Sequence, residues 1–68
     1  MKLSWDADAD AAYLRFRTES NPVARTYMCD FNEVGGMVNI DFDEDGKVVG
    51  IEFINGSQYL YPELLTGE

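Results

Sequence analysis

The stretch that most constrains the fold runs from residue 37 to residue 54, MVNIDFDEDGKVVGIEFI, where two apolar-rich segments are joined by an acidic turn ending at Gly46. Val38, Ile40 and Phe42 alternate with more polar residues, which is the period of a half-buried strand. The turn contains the glycine that lets the chain reverse direction within a few residues. The pattern predicts a β-hairpin at the centre of the fold.

The same residues also match the sequence pattern of a calcium-binding loop. Counted from Asp41, the spacing D-x-D-x-D-G-x5-E is complete and ends at Glu52. In an EF-hand a helix enters this loop, but here the Gly-Gly pair at 35–36 lies where that helix would be. Extended backbone also carries Glu52 roughly 20 Å beyond Gly46, at ~3.3 Å per residue. The hairpin is therefore favoured, and the alternative is weak divalent-cation binding by three turn aspartates: Asp41, Asp43 and Asp45.

The hairpin interpretation predicts a register. A four-residue loop, residues 43–46, with Gly46 in the left-handed conformation, pairs Phe42 with Lys47, Ile40 with Val49 and Val38 with Ile51. One face then carries the apolar residues Val38, Ile40, Val49, Ile51 and Phe53. The other face carries Asn39, Asp41, Val48, Gly50 and Glu52.

Three earlier segments also have strand character. Lys2–Trp5 is stopped by the turn sequence DADAD, and residues 11–17 alternate so that Ala12, Leu14 and Phe16 share a face. Residues 23–31 are β-rich, but both of their faces could point inward. We favour Ala24, Thr26 and Met28 as the inward set, which aligns Phe16 with Ala24 and Leu14 with Thr26.

This facing gathers positive charge on the outside of the sheet, at Arg15, Arg17 and Arg25 beside Tyr27. Such a patch is typical of an anion or RNA contact, or of cross-strand pairing with carboxylates. The net charge of −8 favours the second interpretation and disfavours binding to nucleic acid or anionic lipid. A basic protein or a cation is the partner that this charge attracts.

The C-terminal segment changes period. Residues 57–61 are compatible with a helical turn that places Leu60 near the core, and Pro62 can begin a second short helical segment. The predicted fold is therefore a single α+β but mostly β domain, residues 1–68, with one antiparallel sheet of about five strands in a β-meander and a short C-terminal helix. Because so few C-terminal residues can cover the apolar face, we expect two copies to associate through it.

Catalytic chemistry is poorly represented. The chain has no His, and its serines (Ser4, Ser20 and Ser57) have no neighbouring base in the sequence, so no catalytic or cofactor-binding residue is predicted and we expect no enzyme activity. The single cysteine, Cys29, is expected to be packed and inert. With no disulfide, no apolar leader and no run long enough to span a bilayer, a cytoplasmic location is expected.

The chain resembles the bacterial and archaeal "domain of unknown function 2283" family. The resemblance rests on VNIDFDEDGKVVGIEFI together with DADADAAYLRF and PVART, and it covers nearly the whole chain. The matching motif residues are Asn39, Asp41, Asp43, Gly46, Gly50, Ile51 and Glu52, whereas DADAD, Tyr59 and Tyr61 depart from the usual pattern. The resemblance implies a shared small β fold without an established activity. Because some members are encoded beside small toxin-like proteins, it also implies an antitoxin-like, protein-binding role.

Overall fold

Five strands form one antiparallel sheet in the computed structural model, which describes residues 1–16 and 22–65. The strands are β1 (Lys2–Asp6), β2 (Ala11–Arg15), β3 (Arg25–Met28), β4 (Val38–Phe42) and β5 (Val48–Ile54). The helices are α1 (Phe31–Val34), α2 (Gly56–Tyr59) and a 3-10 helix at Pro62–Leu64. The predicted class, a mostly β fold with a short C-terminal helix, is confirmed.

The strand order is β1-β2-β5-β4-β3. β2 therefore pairs with β5 and not with β3, so the sheet departs from a simple meander in one connection. The predicted alignment of Phe16 with Ala24 and of Leu14 with Thr26 is wrong, because β3 lies at the far edge beside β4. β5 is the longest and most apolar strand. It lies at the centre of the sheet, where one of its edges pairs with β2 and the other with β4.

The β4–β5 hairpin forms as predicted, but its register differs. The Asp43 amide donates to the Lys47 carbonyl at 2.9 Å, so the loop has three residues and not four. Gly46 has the expected left-handed conformation, with φ of 82°. The register then shifts by one between Asp41 and Phe42, which leaves Val49 as an extra residue on β5.

These two one-residue offsets add to two. Ile40 consequently faces Ile51 and Val38 faces Phe53, in place of the predicted Val49 and Ile51. Because side chains alternate with a period of two, an offset of two returns each paired side chain to the face that was predicted for it. The predicted faces are right for these residues although the predicted pairs are wrong. Val48, predicted on the polar side, is the exception, because it pairs with Phe42 before the register shift and lies on the apolar side.

The favoured facing of β3 is wrong. Thr26 pairs with Asp41 and donates its hydroxyl to that carboxylate at 2.6 Å, which places Thr26 on the polar face. Tyr27 pairs with Ile40 and lies on the apolar face. Met28, opposite Asn39, shares the side of Thr26.

The predicted strand at residues 23–31 is too long, because its last residue begins α1. Asp30 caps this helix by accepting the Asn32 amide at 2.8 Å, and Gly35 ends it with φ of 77°. Asp30 with Glu33 three residues later is the capping pattern that could have revealed the helix.

The apolar face consists of rows that cross the sheet. One row contains Leu3, Leu14, Ile51, Ile40 and Tyr27, and the next contains Trp5, Ala12, Phe53 and Val38. Among the described residues, the fully buried hydrophobic side chains are Ala12 at 2% exposure and Val49 at 1%. The core is therefore small. None of the helices in the described ranges is long and apolar enough to cross a membrane.

α2 is attached to this face by Asp10. The Asp10 carbonyl accepts the Gly56 amide at 2.7 Å, and its carboxylate accepts both the amide and the hydroxyl of Ser57 at 2.9 Å. Gly56 lies directly against Trp5 and Ala12, where an added Cβ atom would stand 3.0 and 3.3 Å from their side chains. The DADAD turn is thus structural, as expected, and its last aspartate serves as the cap of a helix distant in sequence.

Beyond this cap, α2 spans the end of the sheet. The Gln58 side chain donates to the Gly35 carbonyl at 2.8 Å, which links α2 to the end of α1. The Tyr59 ring lies 6.3 Å from the Phe53 ring. The predicted second helical segment is present as the 3-10 helix, with Pro62 at its start.

Replacing Asp10 should release α2. We expect Asp10→Ala to lower the free energy of unfolding by about 1–2 kcal/mol, because a capping carboxylate is lost and the left-handed backbone (φ 53°) is unfavourable for alanine. Asp10→Asn should lose less, since asparagine keeps an acceptor and tolerates this conformation. Urea denaturation measures both, with Asp8→Ala as the control in the same turn. Equal stability of the Asp10→Ala and Asp8→Ala variants would contradict this role.

Candidate functional site

The face opposite the apolar rows carries polar side chains in matching rows. The register places Lys2, Arg15, Gly50, Asp41 and Thr26 in one row, and Ser4, Tyr13, Glu52, Asn39 and Met28 in the next. All five strands thus contribute to a single polar surface. We refer to this surface as the polar face.

Asp41 is the centre of the hydrogen bonding on the polar face. It accepts the Tyr13 hydroxyl at 2.8 Å through one carboxylate oxygen and the Thr26 hydroxyl at 2.6 Å through the other. Tyr13 reaches Asp41 by lying across Gly50, where a Cβ atom would stand 2.6 Å from the ring. The glycine is therefore needed for close approach of the ring to the backbone.

The environment of Tyr13 raises the pKa of its hydroxyl from 10.0 to about 12. Burial is the largest cause, followed by the hydrogen bond to Asp41 and the charge of that carboxylate, while the nearby Arg15 opposes them. The phenol consequently holds its proton at neutral pH. It acts as a hydrogen-bond donor and not as a base.

A second pair lies beside this cluster. Asn39 donates to Glu52 at 3.1 Å, and the Arg15 guanidinium lies 5.1 Å from the centre of the Tyr13 ring. Tyr13 and Glu52 also line a shallow, open depression of about 250 Å³ between β1, β2 and β5. The wall of this depression includes Ser4 and Asp6. The cluster can offer carboxylate and aromatic surface to a polar or cationic group.

The three aspartates of the calcium-loop spelling are not brought together. Asp41 points to the polar face, whereas the Asp43 carboxylate accepts the backbone amides of Asp45 and Lys47 at 2.9 and 3.0 Å. Within residues 1–16 and 22–65, no three Cys, Asp or Glu side chains are placed to hold a metal ion together. The Asp43 carboxylate instead stabilises the turn itself.

The predicted cationic patch does not form as described. Arg15 lies on the polar face beside Tyr13, whereas Arg25 lies on the apolar side, 4.2 Å from the centre of the Phe42 ring. The facing of β3 is the reason, because it turns Arg25 and Tyr27 to the opposite side from Arg15. Arg17, the third member, is outside the described residues.

The positive charges are instead grouped at one end of the strands. The end of the sheet formed by the β1–β2 turn, α2 and α1 carries five carboxylates, at Asp6, Asp8, Asp10, Asp30 and Glu33. The register places the Lys and Arg residues of the described ranges at the other end, where the hairpin carboxylates Asp43, Glu44 and Asp45 also lie: Lys2, Arg15, Arg25 and Lys47. We refer to the first end as the acidic end.

Exposed apolar side chains adjoin two of these carboxylates, Asp30 and Glu33, around α1. Met28 is 70% exposed, Phe31 61%, Met37 46% and Val34 37%. All four lie between the last residue of β3 and the first residue of β4, so they belong to the acidic end. We refer to them as the α1 patch. Apolar surface surrounded by one sign of charge is typical of a protein-binding site.

Neither the polar face nor the α1 patch was predicted from the sequence. The polar face requires the pairing of β2 with β5, which alternation within either strand does not reveal. The α1 patch was hidden because Phe31 was assigned to a strand. Its signal was the capping pattern at Asp30 and Glu33, which marks a helix with exposed flanks. Cys29, expected to be packed, is partly buried and carries a free thiol.

Gly50→Ala should disrupt the polar face. Its Cβ would overlap the Tyr13 ring and the Leu14 carbonyl, both 2.6 Å away, so we expect a loss of about 2–3 kcal/mol in unfolding free energy. Gly46→Ala, which has open space but positive φ, should cost only about 1 kcal/mol. Urea denaturation compares the two. A smaller loss at Gly50 than at Gly46 would contradict the packing of Tyr13 on Gly50.

The Tyr13 hydroxyl should lose its proton at a higher pH than an ordinary tyrosine, with a pKa of about 12. Because the folded-state pKa exceeds 10.0, this group contributes stability below pH 10 that is lost between pH 10 and 12. The absorbance of tyrosinate in wild type minus that in Tyr13→Phe isolates this residue. Asp41→Asn should move the midpoint back towards 10. A wild-type titration midpoint near pH 10 would contradict the hydrogen bond from Tyr13 to Asp41.

One comparison with known proteins gives a result. The family model described as "Protein of unknown function (DUF2283)" matches residues 2–57 of the 68-residue chain. No curated protein and no solved structure shows a significant match. The matched range contains all five strands, α1 and the first two residues of α2, and it includes Tyr13, Thr26 and Asp41 of the polar face. The predicted resemblance is confirmed, and the chain belongs to the DUF2283 family.

Proposed function

We propose that the protein is a noncatalytic protein-binding module, antitoxin-like in that its acidic surface masks a basic partner, and that it also self-associates through a separate surface. The observation that carries the first part is the acidic end, where Asp30 and Glu33 adjoin the exposed α1 patch and Asp6, Asp8 and Asp10 lie at the same end of the strands. A partner with lysine or arginine beside apolar side chains complements both features. The net charge of −8 speeds its approach.

The acidic end is continuous, which suits it to a protein partner. Asp10 holds α2 to the β1–β2 turn, and Gln58 holds α2 to Gly35 at the end of α1. A partner can therefore contact the turn and the α1 patch together. The contact would have apolar surface at its centre and charge at its rim, the usual arrangement in protein interfaces.

The polar face supports the noncatalytic part of the proposal. Its central carboxylate, Asp41, already accepts two hydroxyl groups, and Tyr13 holds its proton at neutral pH. The chain also has no His to supply a base near neutrality. These groups stabilise the sheet, and the proposal assigns them no reaction.

Binding of a synthetic amphipathic peptide of lysine and leucine tests this assignment. Amide NMR titration should show shifts concentrated in residues 28–37. The double substitution Asp30→Asn with Glu33→Gln removes two negative charges. It should weaken peptide binding by roughly fivefold, since each charge contributes ~0.5 kcal/mol. Asp30→Asn keeps the helix cap, because asparagine is an equally good acceptor.

The matched control removes the same number of charges at the hairpin turn, through Glu44→Gln with Asp45→Asn. We expect less than a twofold change from it. Equal weakening by the two pairs of substitutions would mean nonspecific attraction to an acidic protein and would overturn the assignment to the acidic end. Shifts confined to residues outside the acidic end (residues 6–10, 28–37 and 56–59) would overturn it as well.

A further inference from the structure

We infer that the apolar face of the sheet is the self-association surface and that its occupant is a second copy of this chain, packed face to face. This inference rests on the self-association included in the proposed function and adds the surface that mediates it. It is independent of the acidic end, which lies at the end of the strands and not on this face.

The first observation is incomplete burial. The row Leu3, Leu14, Ile51, Ile40 and Tyr27 is only partly covered, and Tyr27 is 54% exposed. A chain of this size with two fully buried hydrophobic side chains among its described residues has little core to stabilise it. A second sheet packed on this face would supply the missing layer.

The helices cover only part of the face. α2 packs on β2 next to Trp5 and Ala12, at the acidic end, and Tyr59 extends over Phe53. A four-residue helix is about 6 Å long and 10 Å wide, so it occupies a small part of the sheet. The row through Leu14 and Ile51 lies beyond it, towards the opposite end.

The broad side of the chain is large enough for a dimer contact. The chain measures 33 × 29 × 17 Å, so this side projects roughly 950 Å² in all, of which α2 and Tyr59 cover part. A standard interface buries about 800 Å² per partner. The thin 17 Å dimension is that of one sheet with an incomplete second layer.

Charge does not prevent two copies from meeting here. The two apolar rows contain no carboxylate, and the carboxylates of the strands, at Asp6, Asp41 and Glu52, are on the other face. The charged residue of β3 on this side, Arg25, lies over the Phe42 ring at the margin. Two copies can therefore bury these rows without burying unpaired charge, which would be costly.

Adjacent residues of β3 provide the test. Tyr27 and Met28 are both exposed and both on an edge strand, but they point to opposite faces. Tyr27→Glu should raise the dimer dissociation constant by at least about tenfold, the effect of losing an aromatic contact and placing a charge in the interface. Met28→Glu, which makes the same charge change on the other face, should leave it unchanged.

Sedimentation equilibrium from 1 to 100 µM measures both variants, with circular dichroism to confirm that each is folded. Wild type should have twice the 7.7 kDa mass of the chain. A wild-type monomer at 100 µM would overturn the self-association in the proposed function and this inference with it. A dimer that Tyr27→Glu leaves intact would overturn only the assignment to the apolar face. Binding of the lysine-leucine peptide by Tyr27→Glu should be unchanged, which separates the two surfaces.

Discussion

The antiparallel pairing of β2 with β5 is the constraint on which the rest of the structure depends. An isolated hairpin is marginally stable in water, and this pairing joins β1–β2 to β4–β5 in one sheet. It brings Tyr13 over Gly50 to reach Asp41, and it places Ala12 where Gly56 of α2 can pack. The polar face, the apolar rows and the docking of α2 by Asp10 all follow from it.

Features encoded locally could be predicted from the sequence. Alternation in residues 11–16 and 38–42 indicated strands and their faces, Gly46 indicated the turn, and Pro62 marked a helical start. The facing of β3 could not be predicted, because both of its sides are apolar enough. Its choice depends on the hydrogen bond from Thr26 to Asp41, a residue of another strand. The grouping of Tyr13, Thr26 and Asp41 could not be predicted either, because it depends on the order of the strands, which periodicity does not reveal.

The described part of the molecule separates three kinds of surface. Apolar rows occupy one face, hydrogen-bonded polar groups the other, and unneutralised carboxylates with the α1 patch one end of the strands. A small chain gains from this separation, since an apolar contact and an electrostatic contact can be used at the same time. It also explains why the complete calcium-loop spelling is misleading: Asp41 belongs to the polar face and Asp43 to the turn.

The β4–β5 hairpin carries a consequence for how this chain can evolve. Its three-residue loop and the extra residue at Val49 each displace the register by one, and together they keep Ile51 among apolar neighbours and Glu52 among polar ones. An insertion or deletion of one residue in the loop alone would exchange those two side chains across the sheet. Relatives should therefore change loop length either by two residues, or by one residue together with loss of the extra residue in β5.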